Sequence, residues 1–256
     1  MSDVTRALGG QVVLVTGASG GIGAAIVEQL AAEGARPVIH YSRDVQGALQ
    51  LLQRIGGNGW TVQGDLSDET GPEQLWHAAL DVSGGRIHAV VNNAGIRTEI
   101  PLDAPASSWR EAWRREFQVN FFAAADLCRE AVAHYRAHGG GRIINMASRA
   151  AQRGYAADAL PYGSSKAALI NLTKSLARSV ASEGIVAVAI APGWVRTEMA
   201  EQFIAQHGEA AAVADIPVGR MASPAEVAEL VAFTLRPSQV SLNGATLDVN
   251  GGSYIR

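Results

Sequence analysis

The residues best suited to chemistry stand in PYGSSKAAL, Pro161 to Leu169. Tyr162 and Lys166 lie four apart at the front of a stretch whose apolar spacing is helical, ALINLTKSLARSVASEG. On a helix such a pair shares one face, with Cβ atoms roughly 5–6 Å apart. An ammonium that close favours the phenolate, so the spacing predicts a phenol pulled down from its usual value of about 10. A phenol tuned in this way can pass a proton to or from a carbonyl or alcohol oxygen. The same spacing arises by chance on many helices, so the pair needs support from the rest of the chain.

That support comes from the elements around it. Short apolar runs at QVVLVT (11–16), PVIHY (37–41), 60–63, 87–91, 142–146, 185–191 and 245–249 read as strands. Helical stretches separate them: one stopped by Gly34, one over 44–55, one capped by Ser67 or Asp68 and running to about Val82, a long one over 107–138, the Tyr162 helix, and one opened by Pro224. The strands are continuous apolar runs, the pattern of a parallel sheet covered on both faces. The expected fold class is α/β, a doubly wound parallel sheet (Rossmann fold) of about seven strands with helices on both faces. No repeat or linker interrupts it, so 1–256 reads as a single domain. In such sheets chemistry lies at the carboxyl ends of the strands, and GASGGIG, GDLSD, NNAG, NMAS and PGW each follow a strand.

Bulk properties narrow the class. The 256 residues carry a net charge of -3 with 18% charged residues, so no basic footprint points to nucleic acid. Cys128, the one cysteine, excludes an internal disulfide or a cysteine metal cluster and reads as a buried thiol. No metal site is expected. MSDVTRALGGQ lacks a signal peptide's apolar core, and no run marks a membrane span, which suits a cytoplasmic protein.

The glycine turn points to the ligand. Gly17, Gly21 and Gly23 follow the first strand and open a helix, where backbone can approach a pyrophosphate seated on the helix N-terminus. The spacing is G-x-x-x-G-x-G, so only the physics of the dinucleotide fingerprint transfers. At the end of the second strand, where an acid would favour NAD, the chain reads His40, Tyr41, Ser42, Arg43. Ser42 and Arg43 suit a 2′-phosphate, so NADP(H) is favoured. Asp44 keeps NAD(H) possible if the strand ends later. Asp65 is placed either to receive an adenine amino group or to cap a helix.

With YxxxK, TGASGGIG, NNAG and PG in order, the chain resembles the short-chain dehydrogenase/reductase family, in its single-domain branch, over essentially its whole length. The resemblance implies a catalytic group of Asn120, Ser148, Tyr162 and Lys166. Tyr162 would be the acid/base, and Ser148 would hydrogen-bond the same substrate oxygen. Lys166 would lower the tyrosine pKa and hold the nicotinamide ribose, and Asn120 would position a water linking Lys166 to solvent. The resemblance further places Ser19, Ile22, Tyr41, Leu66, Asn92, Asn93, Ala94 and Gly95 at or near the cofactor. Pro192, Gly193, Val195 and Thr197 would face the nicotinamide. Trp194 would be pocket wall, and a substrate lid would lie around 198–218. A homotetramer or homodimer is implied in the same way.

Departures from the family pattern matter. Gly20 stands where many NADP-preferring relatives carry a basic residue, and it creates the G-x-x-G-x-x-G of the sugar-epimerase branch. The chain leaves no room for that branch's second domain. The Ser148–Tyr162 spacing is one residue longer than the commonest, so the loop 149–160 should bulge. Reductases of acyl-carrier-protein thioesters are near relatives, but Gly139 and Glu183 occupy positions where carrier-docking basic residues would be expected. Arg97, Arg149, Arg153 and Arg178 remain without a place. The function implied is an NADP(H)-dependent oxidoreductase interconverting a carbonyl (ketone, aldehyde or 3-oxoacyl) and a secondary alcohol. The alternatives are a non-catalytic dinucleotide-binding sensor or scaffold, and an NAD-dependent sugar epimerase.

Overall fold

A computed structural model describes residues 6–256, and MSDVT at the extreme N-terminus lies outside them. Seven strands make one parallel sheet in the order β3-β2-β1-β4-β5-β6-β7. They are β1 (Val12–Val15), β2 (Arg36–Tyr41), β3 (Trp60–Gln63), β4 (Ala89–Asn92), β5 (Gly141–Met146), β6 (Ile185–Pro192) and β7 (Thr246–Val249). The helices are α1 (Gly21–Ala32), α2 (Val45–Arg54), α3 (Gly71–Ser83), α4 (Ala106–Phe117), α5 (Ala123–Ala137), α6 (Ala150–Arg153), α7 (Leu160–Val180), α8 (Glu198–His207), α9 (Glu209–Val213) and α10 (Pro224–Leu235). Strand order reverses at β1 and β4, which opens a crevice there at the carboxyl ends.

Successive strand side chains point to opposite faces, and each face has its own core. Val13 and Val15 pack with Ile26 and Leu30 of α1 and with Val231 of α10. Val12 and Leu14 pack with Trp76 of α3 and with Leu127 and Tyr135 of α5. This two-sided burial explains why the strands read as unbroken apolar runs. Each such side chain taken fully out of water contributes roughly 1.5–3 kcal/mol.

The structure corrects two element boundaries. α3 starts at Gly71, not after Ser67 or Asp68. The Asp68 carboxylate instead accepts from the Thr70 amide and hydroxyl at 2.8 and 2.7 Å. That local turn competes with helix and delays its start. The long stretch over 107–138 is also not one uniform helix. A π-helical turn, Gln118–Phe122, joins α4 to α5 and carries Asn120. Wide turns of this kind are frequent where a helix serves a site.

Candidate active site

The glycine turn and NNAG are stitched together at the crevice. The Thr16 hydroxyl accepts from the Asn93 and Ala94 amides at 2.9 and 3.0 Å. The Asn93 side-chain amide donates to the carbonyls of Thr16 and Gly17 at 2.9 and 3.0 Å. Gly17 has φ +61°, and a Cβ there would stand 2.9 Å from Ala94 Cα. At Gly23 a Cβ would stand 2.4 Å from the Gly17 carbonyl oxygen, so α1 rests directly on the turn. Gly20, the N-cap of α1, offers no side-chain cap, which leaves first-turn amides for an anion.

His40 is a strut that the sequence did not single out. It is buried, its Nδ1 accepts from the Gly17 amide at 3.0 Å, and its Nε2–H donates to the Gly64 carbonyl at 3.2 Å. Three strand tips are thereby tied through one neutral ring. Burial holds the imidazole down at about 4.

Beyond it, β2 ends at Tyr41, and Ser42 and Arg43 project exposed. Asp44 is spent as the N-cap of α2, accepting from the Gly47 amide at 2.9 Å. The carboxylate that kept NAD(H) open is therefore occupied in holding a helix. Asp65 accepts from the Ser67 amide and hydroxyl at 2.9 and 2.6 Å, and these bonds hold its carboxyl below the usual range. It braces the loop after β3, next to buried Leu66, and does not cap α3.

Ser148 sits where β5 keeps pairing past its end. The Ala147 amide donates to Ile190 at 2.7 Å and the Arg149 amide to Pro192 at 2.9 Å. Its hydroxyl accepts from the Ala150 amide at 3.1 Å and hydrogen-bonds Tyr162. Tyr162 and Lys166 lie in the first turns of α7, as their spacing requires. Their electrostatics differ from the expectation. Burial pushes the Tyr162 phenol up to about 12, and the Ser148 hydrogen bond is the strongest pull downward. The Lys166 ammonium, itself buried and donating to the Met146 carbonyl at 2.8 Å, does not offset that burial. Desolvation holds the lysine itself at about 8.

Asn120 is buried against the segment after β4. Its Nδ2 donates to the Ile96 carbonyl (2.9 Å) and the Ser165 hydroxyl (3.1 Å), while its Oδ1 accepts from the Ile96 amide (2.8 Å). The Ser165 hydroxyl in turn donates to the Tyr162 carbonyl at 2.9 Å. The amide thus clamps α7 to the loop that ends NNAG.

A cavity of about 420 Å³ collects these groups. Gly17, Ser19, Gly21, Ile22, Asn93 and Gly95 line one wall; Ser148, Tyr162 and Lys166 line another. Pro192, Gly193, Val195 and Thr197 close it, with Trp194 as wall against Phe203 of α8 at 4.8 Å between ring centroids. Gly23, Asn120 and Ala94 stand behind the surface as supports. Asn92 is turned into the core, donating to Asn145 at 2.8 Å. Arg43 lines an adjoining cavity with Arg115 and Glu198.

Four residues of the site were not legible beforehand. Arg97, Arg149 and Tyr155 line the main cavity, and Glu116 is fully buried under it. Arg149 pairs with Asp215 at 3.1 Å, and Arg153 joins the same carboxylate at 2.6 Å, so the segment after α9 is tied to α6. The loop 149–160 forms α6 and a 3-10 turn, Ala157–Ala159. It brings Tyr155 to 5.6 Å from the Tyr162 ring. The extra residue in the Ser148–Tyr162 spacing was the available signal.

The site fits a dinucleotide. A Cβ at Gly17 or Gly23 would strike the turn's own backbone packing, the α1 amides have no side-chain cap, and the two hydroxyls share one cavity with the turn. Comparison with known proteins agrees. A family model described as enoyl-(acyl carrier protein) reductase matches residues 17–254. The chain is 36% identical over 248 residues to 3-oxoacyl-(acyl-carrier-protein) reductase FabG of Vibrio cholerae, covering 97% of this chain and 99% of that protein. It is 36% identical over 252 residues to 3beta-hydroxysteroid dehydrogenase 1 of Eggerthella lenta, covering 96% and 94%. A crystal structure from Beutenbergia cavernae, a putative NAD(P)-dependent gluconate 5-dehydrogenase with bound NADP, superposes with a TM-score of 0.88 at 31% identity, covering 97% of this chain and 98% of that one.

Proposed function

The chain belongs to the short-chain dehydrogenase/reductase family, and on that premise we propose that it interconverts a carbonyl compound and a secondary alcohol with NADP(H). The observation that carries this reading is that Ser148, Tyr162 and Lys166 face the same cavity as the glycine turn. When bound, the cofactor supplies the hydride. The turn at Gly17, Gly21 and Gly23 and the first amides of α1 would hold its pyrophosphate. Ser42 and Arg43 would hold the 2′-phosphate, beside Tyr41, Asp65 and Leu66. Pro192, Gly193, Val195 and Thr197 would frame the nicotinamide end.

Tyr162, with its phenol near 12, keeps its proton at neutral pH and so is poised to donate to a carbonyl oxygen. Ser148 offers that oxygen a second hydrogen bond. Lys166 lies behind the tyrosine, charged below about pH 8, and steadies the negative charge left when the proton goes. Asn120 holds this group against NNAG. The segment 198–218, seen as α8, α9 and the loop beyond, acts as the substrate lid, and 1–256 works as one domain. Assembly as a homotetramer or homodimer belongs to the same proposal.

The relatives' printed activities share an alcohol or carbonyl carbon but differ in the skeleton around it. The substrate class is therefore set at that level. The test is reduction of a panel of ketones, aldehydes and 3-oxoacyl thioesters, followed by loss of nicotinamide absorbance with NADPH and with NADH. Turnover with NADPH that falls by roughly 100- to 10,000-fold in Tyr162→Phe is the expected result. Retained NADPH binding with no turnover on any substrate would overturn it in favour of a cofactor sensor.

A further inference from the structure

Among the described residues two carboxylates are buried in the body of the protein, Glu33 and Glu116. Glu33 is neutralised by Arg236, which grips both its oxygens at 3.0 and 2.9 Å. Glu116 is 0% exposed, and among the described residues no cation lies within ion-pair distance of it. An unpaired carboxylate removed from water costs several kcal/mol, and such groups gather at functional sites. The position of Glu116 fits that second case. It lies one helical turn before Asn120, at the last turn of α4.

Its two oxygens have separate tasks. Oε2 accepts from the Thr98 amide at 2.9 Å, just past NNAG, and Oε1 lies 3.5 Å from the Asn120 side-chain nitrogen. The charged groups facing it are Lys166 from α7 and Arg97 from the segment after β4, and the neutral Tyr162 phenol faces it as well. Lys166 and Asn120 meet at one point: a Cβ built on Gly95 would lie 3.2 Å from Lys166 Nζ and 3.3 Å from Asn120 Oδ1. Glu116 is the charged group that faces Lys166. Elsewhere the ammonium has the Met146 carbonyl.

We propose that Glu116 is a positioning residue of this centre: its carboxylate is the counter-charge that keeps Lys166 an ammonium and the anchor that holds Asn120 against the Gly95–Ile96 segment. The proposal rests on the carbonyl-reducing role given to Tyr162 and Lys166. It adds the reason why a lysine taken out of water retains its charge near neutral pH. Glu116 is fully buried and does not line the cavity, so it acts through its neighbours.

The chain has two lysines, Lys166 and Lys174, so protein labelled with ¹³C at the lysine ε-carbon gives two signals to follow by NMR. Lys174 is exposed on α7 and serves as the internal reference. In the cofactor-free wild type the Lys166 signal should titrate near pH 8. It should also show a second, smaller inflection in the acidic range as Glu116 takes up its proton. In Glu116→Gln the Lys166 inflection should move to lower pH and Glu116→Asp should move it back, with Lys174 unchanged. In turnover, the fall of carbonyl reduction on the alkaline side should shift by the same amount, in kcat more than in KM. An unshifted Lys166 titration in folded Glu116→Gln overturns the proposal. If that variant does not fold, absence of the acidic inflection in the wild type overturns it equally. A wild type that titrates as described but reduces no carbonyl contradicts the proposed function and leaves the Glu116–Lys166 pairing standing.

Discussion

The two ends of the sheet bury polar groups to opposite effect. At the amino ends of the strands, His88, His134 and Arg142 are spent on backbone. His88 Nδ1 accepts from the Val12 amide at 3.0 Å, and His134 Nε2 accepts from the Ile87 amide at 3.3 Å. Arg142, at the start of β5, donates to the carbonyls of Thr234, Pro237 and Gln239 at 3.0–3.3 Å. At the carboxyl ends, burial instead leaves hydroxyls and an ammonium facing a cavity, with protonation held away from ordinary values. Tyr162 is pushed up and Lys166 down by the same cause, desolvation. Burial at one end consumes hydrogen-bonding capacity in the fold, and at the other it stores reactivity.

That contrast can be broken from either side. After the loss expected for Tyr162→Phe, the largest effect is expected for Ser148→Ala, which removes one of the two donors proposed for the substrate oxygen. Its kcat/KM should drop roughly 100- to 1,000-fold, while thermal stability and NADPH affinity stay level. Arg142→Leu should do the reverse. Three backbone carbonyls lose a charged donor, so denaturant unfolding should show about 3 kcal/mol less stability, with kcat unchanged in the protein that remains folded.

His40 sharpens the comparison because it is a structural group placed at the carboxyl ends of the strands. Its folded value, about 4, lies below the 6.5 of an unfolded histidine. Above pH 6.5 both states are neutral and nothing is lost. As pH falls from 6.5 through 4 the unfolded state takes up the proton first, so stability should decline by roughly 3 kcal/mol. Protonation of the folded state, near pH 4, abolishes the acceptor for the Gly17 amide, so NADPH affinity should weaken there. His40→Asn should flatten the His40 part of the acid limb, as read by thermal melts against pH. The smallest effect is expected for Arg43→Ala, an exposed side chain: a roughly 10- to 100-fold loss in NADPH affinity, with NADH affinity unchanged, by titration calorimetry.

What the sequence disclosed followed sequence distance. The strand–glycine turn–helix of β1 and α1 and the Tyr162–Lys166 spacing are local, so their geometry is set by a few neighbouring dihedrals. Strand positions also came through, because burial on both faces leaves unbroken apolar runs. The rest depends on segments that meet only in the fold. Arg149 finds Asp215 across 66 residues, and Thr98 meets Glu116 across 18. The phenol of Tyr162 was misjudged for a related reason: spacing reports that a lysine is near, while burial, which decides the sign here, is a tertiary property. Asn120 was legible as a residue but not as part of a π-helical turn.

The most direct measurement uses NADPH deuterated at the transferable position of its nicotinamide ring, with a ketone or 3-oxoacyl thioester that the protein turns over. Mass spectrometry and NMR of the product locate the label. Deuterium on the carbinol carbon, in wild type and at a much reduced rate in Tyr162→Phe, is the predicted result. Deuterium on a carbon of a former C=C bond, or a product free of label, would contradict carbonyl reduction at the Ser148–Tyr162 pair.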